Sequence, residues 1–261
     1  MTRPTAVALD IDGTLLDHDE LLSPAVIDAV RRTAAQVPLI LATGRAWQTT
    51  HPVAAKLGLP AGGFVVCSNG ARTLRYPDGD VIDERTFDPS TVIASVRKHA
   101  PNARMAVEEH DSSYLVTAPF PDGDLGADAR IRVVSDEELA PEPVTRLIIR
   151  DPEQSEADFV HLAERLGLHG VSYFVGWTAW LDIAPEGVDK STGLKVALAQ
   201  YDLDPSGLLA IGDGRNDIEM LTYAGLGIAM GSAPDEVKAA ADEVTKSVQD
   251  DGVAAVLNRW F

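Results

Sequence analysis

Short apolar runs alternate with longer amphipathic stretches over the first 70 residues. The apolar runs are "TAVALDI", "PLILATG" and "GFVVCSNG", and the stretch "SPAVIDAVRRTAAQ" between the first two has helical spacing. Ser23 followed by Pro24 suits the cap and the first position of that helix. Strand-like runs that are apolar on both faces, each followed by a helix, are typical of a parallel sheet covered on both sides. The pattern therefore predicts an α/β fold.

The same alternation returns near the end of the chain, in "STGLKVALAQYDL", "GLLAIGDG", "NDIEMLTYAG", "LGIAMG" and "APDEVKAAADEVT". A different pattern fills the middle. It opens with "YPDGD", whose turn chemistry predicts a hairpin between "ARTLR" and "VIDERTF". It continues as a helix, three strands, a second helix and two further strands. We therefore predict a Rossmann-like core with a parallel sheet, formed by residues 1–80 and 184–261, and an inserted α+β cap domain over residues 81–183.

Composition narrows the range of functions. The chain has 261 residues, of which 45% are hydrophobic, and its 40 acidic and 22 basic residues give a formal charge of −18. Such a charge repels nucleic acid and anionic membrane surfaces, so we expect neither as a partner. A single cysteine, Cys67, and the absence of a signal-peptide pattern lead us to expect a cytoplasmic protein. A phosphorylated substrate would also be repelled, so its site needs local cations.

Two acids follow the first apolar run directly, and they are the first candidate for chemistry. Asp10 and Asp12 stand at the carboxyl end of the predicted strand, where open parallel sheets bind ligands. Two carboxylates there can hold a divalent cation, or one can attack an electrophile while the other moves a proton. Asp12-Gly13 is also ordinary turn chemistry, so this pair alone leaves both interpretations open.

Three further polar groups follow predicted strands or begin predicted helices. Thr43 and Gly44 end the second apolar strand, where a hydroxyl and backbone N–H groups can bind a phosphoryl oxygen. Lys190 stands just before a helix. The last group is Asp213, Asn216 and Asp217. Each group is unremarkable alone, but four of them in this order favour a functional site over a chance arrangement.

The segments "DIDGTLLD", "ATGR", "SNGA", "GVDKSTGL" and "GDGRND" together resemble the motifs of the haloacid dehalogenase-like phosphohydrolases. The resemblance is to the Cof-type branch, in which a cap lies between the second and third motifs, and it covers nearly the whole chain. It implies a phosphatase that depends on Mg²⁺ and hydrolyses small phosphorylated metabolites such as sugar phosphates.

The resemblance also implies individual roles. Asp10 is expected to attack phosphorus and form an aspartyl-phosphate, while Asp12 serves first as general acid and then as general base. Mg²⁺ is expected at the Asp10 carboxylate, the Asp12 carbonyl and Asp213, with Asp217 either orienting a ligand or capping its helix. The groups expected to hold the phosphoryl oxygens are Thr43, Gly44, Lys190, Asn216 and the backbone N–H of Ile11.

Other residues are weaker candidates. Arg45 could contact substrate or pair with one of many acids, and Asn69 could bind substrate or belong to an ordinary Asn-Gly turn. Trp177 and Trp180 are expected to pack where the chain returns to the core. In the inserted segment, "VEEHDSSYLV" could line the substrate cleft or form a solvated turn, and its polar residues are Glu108, Glu109, His110 and Tyr114.

Two other functions compete with hydrolysis. A phosphomutase or phosphotransferase would pass the phosphoryl group from the same aspartate to a second hydroxyl. A phosphoacceptor module of the receiver type would use similar acids, Mg²⁺ and a lysine for signalling. Such a module would be about half this length and would lack the inserted segment. A silent structural protein would have no reason to keep all four polar groups.

Overall fold

The computed structural model describes residues 2–126, 129–140, 142–166, 168, 170–175 and 180–261. The chain divides into two compact units. The first comprises the chain up to Arg45, Thr50–Asp83 and Asp189–Phe261, and the second comprises Ala46–Thr49 and Glu84–Val188.

The described strands are, in chain order, β1 (Ala6–Leu9), β2 (Leu39–Ala42), β3 (Phe64–Cys67), β4 (Arg72–Arg75), β5 (Asp80–Glu84), β6 (Arg104–Glu108), β7 (Tyr114–Val116), β8 (Ile131–Val133), β9 (Leu147–Arg150), β10 (Val171–Val175), β11 (Trp180–Pro185), β12 (Leu208–Gly212), β13 (Leu226–Ala229) and β14 (Glu243–Val244). The described α-helices are α1 (Pro24–Ala34), α2 (Trp47–Leu57), α3 (Ser90–His99), α4 (Glu156–Leu166), α5 (Lys190–Gln200), α6 (Ile218–Tyr223), α7 (Asp235–Ala240) and α8 (Gly252–Leu257). None of these helices is both long and apolar enough to cross a membrane.

The first unit is built on an eight-stranded sheet in the order β14-β13-β12-β1-β2-β3-β4-β5. The strands from β14 to β3 are parallel, and β4 runs antiparallel to β3. In this register Leu9 lies beside Ile211 on one side and Leu41 on the other, so the segments that follow these three strands emerge at one edge. The predicted α/β fold with a largely parallel sheet is confirmed, and the turn "YPDGD" joins β4 to its neighbour β5.

Helices cover both faces of this sheet. On one face α5, α6 and α7 pack over a cluster that includes Ala8, Ile40 and Val66. Cys67 follows Val66 in β3 and faces the other way, where its thiol donates to the hydroxyl of Thr50 in α2. The predicted start of α1 is also confirmed, because the Ser23 hydroxyl accepts the backbone N–H of Ala25.

The second unit is an α+β sandwich. Its six-stranded sheet has the order β10-β11-β9-β6-β7-β8, with β7 and β8 parallel and the other pairs antiparallel. Helices α3 and α4 pack on one face around Met105, Leu147 and Phe159. The opposite face carries a smaller apolar cluster: Ala46, Ala106, Tyr114, Val116, Phe120, Leu125 and Ile148. Strand β8 was not predicted from the sequence, because all of its residues are exposed and no alternation marks it.

The start of α2 is grouped with the second unit rather than with the rest of its own helix. The side-chain amide of Gln48 donates to the carbonyl of Asp111, and a Cβ on Gly126 would lie 2.2 Å from Cγ2 of Thr49. The limits of this unit thus differ somewhat from the range 81–183 that was predicted from the sequence. The assignment of the unit as a cap stays a prediction. Of the two tryptophans expected at the junction, Trp177 lies outside the described residues, and the Trp180 ring contacts Phe120 edge to face.

Candidate active site

A buried lysine joins two carboxylates at the carboxyl edge of the parallel sheet. Asp10 follows β1, and Lys190 opens α5, where Asp189 caps the helix by accepting the N–H of Thr192. The Lys190 Nζ donates to Asp10 Oδ1 and to Asp217 Oδ1, each at 2.6 Å. Lys190 has no exposed surface. The capped start of α5 therefore fixes a positive charge against the first predicted catalytic residue.

Three aspartates surround that charge. Among the described residues, Asp10, Asp213 and Asp217 form one group whose carboxylate oxygens, one from each, lie within 4.8 Å of one another. Burial and repulsion by Asp217 raise the pKa of Asp10 to about 7, although Lys190 opposes this. Burial and repulsion by Asp10 raise the pKa of Asp213 to about 9. Burial disfavours the charge on Lys190, but the two carboxylates outweigh it and raise the pKa of that ammonium group.

Protein donors occupy both oxygens of Asp217. Its Oδ1 accepts from Lys190, and its Oδ2 accepts the backbone N–H of Asp213 at 2.9 Å and of Gly214 at 2.8 Å. Asp217 is fully buried. The side chain thus holds the segment that follows β12 and the end of the lysine side chain at the same time.

The loop after β1 packs directly on Asp213. Gly13 has a φ of +81°, and a Cβ there would lie 2.2 Å from Asp213 Oδ2, so only glycine fits. The hydroxyl of the buried Thr14 donates to Asp213 Oδ1 at 3.3 Å. The fully buried Ile11 closes the loop, because its carbonyl accepts the N–H of Leu15. The sequence did not indicate the contact of Thr14 with Asp213, because 199 residues separate them.

The side chain of Asp12 lies outside the carboxylate group. It is 56% exposed and pairs with Arg45, whose Nε and Nη2 donate to its two oxygens at 2.9 and 2.5 Å. The same Nη2 donates to Glu20 at 2.7 Å. Arg45 therefore pairs with two acids in this structure, and its contact with substrate stays a prediction.

Three of the predicted phosphate-binding residues, Thr43, Gly44 and Asn216, meet around Asn69. Thr43 is fully buried, and its hydroxyl accepts the N–H of Arg45. A Cβ on Gly44 would lie 3.1 Å from Asn69 Oδ1. The amide of Asn216 donates to that same oxygen at 2.9 Å. The sequence did not indicate this contact, because 147 residues separate Asn69 from Asn216.

A second polar cluster lies inside the inserted unit. Arg146 donates to both oxygens of Asp182, at 2.5 and 2.9 Å, and both residues are buried. Glu108 and Tyr114 are also buried, and burial together with the Glu108 charge raises the pKa of the Tyr114 hydroxyl. These two residues of "VEEHDSSYLV" are therefore not part of a solvated turn.

Comparison with known proteins shows the family to which the chain belongs. The family model described as haloacid dehalogenase-like hydrolase matches residues 7–257. A phosphoglycolate phosphatase from Natronomonas pharaonis is 31% identical over 99% of this chain and 98% of its own. A pyridoxal phosphate phosphatase from Escherichia coli is 30% identical over 95% of each chain.

A solved structure shows the same fold. The haloacid dehalogenase-like hydrolase from Bacteroides thetaiotaomicron superposes with a TM-score of 0.83 at 25% identity, over 99% of this chain and all of that one. Sequence and structure thus agree over nearly the full length. The chain belongs to the haloacid dehalogenase-like hydrolases, in their Cof-type phosphatase branch.

Proposed function

We propose that the chain hydrolyses small phosphorylated metabolites, such as sugar-phosphate-like phosphomonoesters, through a phosphoryl group carried on Asp10. The observation that carries the proposal is the 2.6 Å contact between the buried Asp10 carboxylate and Lys190 at the end of β1. An ammonium group in this position can bind a phosphoryl oxygen next to the attacking carboxylate. Two of the relatives are named as phosphatases of phosphoglycolate and of pyridoxal phosphate, which supports a small phosphomonoester as substrate.

The proposed reaction has two displacements. In the first, an oxygen of Asp10 bonds to phosphorus, the ester P–O bond breaks, and protonated Asp12 gives its proton to the departing alkoxide. In the second, Asp12 takes a proton from water, the water oxygen bonds to phosphorus, and the bond to Asp10 breaks, which releases inorganic phosphate. Splitting one difficult displacement into two in this way is covalent catalysis.

The residues present fit a hard divalent cation such as Mg²⁺. Carboxylate and carbonyl oxygens are its preferred ligands, and the carboxylates of Asp10, Asp213 and Asp217 lie together around the single ammonium group of Lys190. We assign the Asp10 carboxylate, the Asp12 carbonyl and Asp213 as the groups that would hold it. When bound, the cation would neutralise charge on the phosphoryl oxygens.

The remaining site residues are assigned by their contacts. Asp217 is proposed to orient rather than to ligate, because donors from Lys190 and two backbone amides occupy its oxygens. The groups proposed to hold the phosphoryl oxygens are Thr43, Gly44, Lys190, Asn216 and the N–H of Ile11. These donors would supply the local attraction that the overall charge of −18 makes necessary.

The test is phosphate release from a panel of alkyl and aryl phosphomonoesters, with and without Mg²⁺. The native protein is compared with Asp10→Asn and with a matched control, Asp28→Asn, which changes an exposed carboxylate on α1. We expect release that needs both Mg²⁺ and Asp10 and that the control leaves intact. A folded protein that binds Mg²⁺ but releases no phosphate, or that transfers it only to an added sugar hydroxyl, would overturn the proposal of hydrolysis.

A further inference from the structure

A strained turn follows β3, made of Ser68, Asn69 and Gly70. The three residues have consecutive φ angles of +51°, +52° and +95°, and all are buried. Residues other than glycine avoid this region, because Cβ approaches the backbone too closely. Two such residues in succession persist only where the surroundings hold them, and strain of this kind concentrates at functional sites.

The turn is held first by the segment that follows β2. The N–H of Ser68 donates to the carbonyl of Arg45, and the N–H of Asn69 donates to the carbonyl of Thr43, both at 3.0 Å. The Asn69 side-chain amide lies against Gly44, where a Cβ would come within 3.1 Å of its oxygen. The turn and the Thr43-Gly44 segment therefore fix each other.

Two more contacts reach other parts of the site. A Cβ on Gly70 would lie 1.8 Å from the carbonyl oxygen of Asp189, the residue before Lys190, so the turn packs on the start of α5. The Asn69 side-chain oxygen accepts the hydrogen bond from Asn216. One three-residue turn thus touches each of the segments that carry Thr43, Lys190 and Asn216.

We propose that Asn69 is a positioning residue, which orients the amide of Asn216 toward the phosphoryl group and does not itself contact substrate. This rests on the proposed function. An amide group has two N–H donors, so Asn216 can give one to Asn69 Oδ1 and keep the other for a phosphoryl oxygen. Asparagine suits the position because it tolerates the left-handed backbone and offers a neutral acceptor.

The test variant is Asn69→Gly, which allows the same φ but removes the acceptor. We expect kcat/KM to fall by about threefold to tenfold for every substrate, the effect of losing one hydrogen bond, and the binding of inorganic phosphate to weaken by a similar factor. In an Asn216→Ala background the same change is expected to cost nothing further. The matched control is Asn102→Gly, at an exposed turn of the inserted unit, which leaves activity unchanged.

A loss that persists undiminished in the Asn216→Ala background, or one that reorders the substrates, would overturn the proposal in favour of direct substrate contact. A second readout does not depend on turnover. The side-chain NH₂ signals of Asn216 in an NMR spectrum, identified by their disappearance in Asn216→Ala, are expected to shift and to exchange faster with water in Asn69→Gly. Unchanged signals would overturn the positioning role even in a protein with no phosphatase activity.

Discussion

At the scale of single residues, the structure brings Asp10, Asp213 and Asp217 together around the ammonium group of Lys190. Asp10, Asp213 and Lys190 were predicted because the ends of parallel strands and the starts of the following helices share one edge of a sheet. Other contacts depend on side-chain rotamers. They are the hydrogen bonds that Asp217 accepts from two backbone amides and the ion pair of Asp12 with Arg45. Spacing along the chain carries no information about rotamers, so these contacts could not be read from it.

The raised pKa values of Asp10 and Asp213 predict that the metal-free protein loses stability as pH rises. An unfolded aspartate titrates near pH 4, whereas these groups titrate at about 7 and 9 in the folded chain. Between the unfolded and the folded pKa values, the folded state binds more protons than the unfolded state. The contribution of these groups to the free energy of unfolding is therefore largest below pH 4, and it is lost as the pH rises through about 7 and then about 9. In EDTA, urea denaturation should give a free energy of unfolding at least about 1 kcal/mol lower at pH 9 than at pH 6.

Two controls accompany that measurement. Saturating Mg²⁺ binds the ionised carboxylates of the folded state, so it should raise stability most at pH 9 and reduce the pH dependence. The variant Asp213→Asn should show a weaker pH dependence in EDTA and little response to Mg²⁺. An equal response of the native protein and this variant to pH and to Mg²⁺ would contradict the assignment of Asp213.

At the scale of elements, helix α5 shows what hydrophobic pattern alone leaves out. The sequence predicted this helix despite Gly193, a weak helix former. In the structure a Cβ on Gly193 would lie 2.4 Å from Cγ1 of Val66 in β3 and 3.2 Å from the hydroxyl of Thr73. The glycine is there because helix and sheet approach closely, and this approach places Lys190 beside Asp10. Distances between elements are not encoded in local periodicity.

The variant Gly193→Ala should therefore destabilise the protein although alanine is the better helix former. Because the added Cβ would lie only 2.4 Å from Val66 Cγ1, overpacking is expected to cost about 2–3 kcal/mol, which exceeds the roughly 1 kcal/mol gained in helix propensity. Because the helix must shift, kcat should fall as well. Denaturation curves and phosphatase assays check both effects. The reverse change on the exposed side of α5, Ala199→Gly, should cost about 1 kcal/mol through propensity alone and spare activity. A more stable Gly193→Ala protein would contradict the close packing.

At the scale of the whole molecule, the insertion was visible because the strand–helix alternation stops near residue 80 and resumes near 184. That the start of α2 joins the inserted unit was not visible, because its contacts are with residues far along the chain. The sequence likewise left open which part of the protein distinguishes one phosphomonoester from another. Since the core residues are proposed to contact only phosphate and metal, we expect the inserted unit to contribute to substrate discrimination.

His110 is the residue of that unit chosen to test this expectation. Its side chain is 64% exposed and pairs with Glu84 at 2.9 Å, so its removal should leave the fold intact. His110→Ala is expected to change the relative kcat/KM of alkyl phosphates by about threefold or more and to leave a generic aryl phosphate nearly unaffected. The control His161→Ala removes an exposed imidazole from α4. A uniform loss over all substrates would argue against a role in selectivity.

The grouping of Ala46–Thr49 with the second unit limits how homologues of this protein can exchange their inserted units by recombination. Recombination that joins the core of one relative to the insert of another needs one crossover on each side of the insert. Here those two crossovers would leave Ala46 behind, separated from the Ala106 and Tyr114 that it packs against. A working chimera would need two further crossovers, one on each side of residues 46–49. An insert that is transferred between homologues without residues 46–49 should therefore lack part of its own apolar cluster in the chimera.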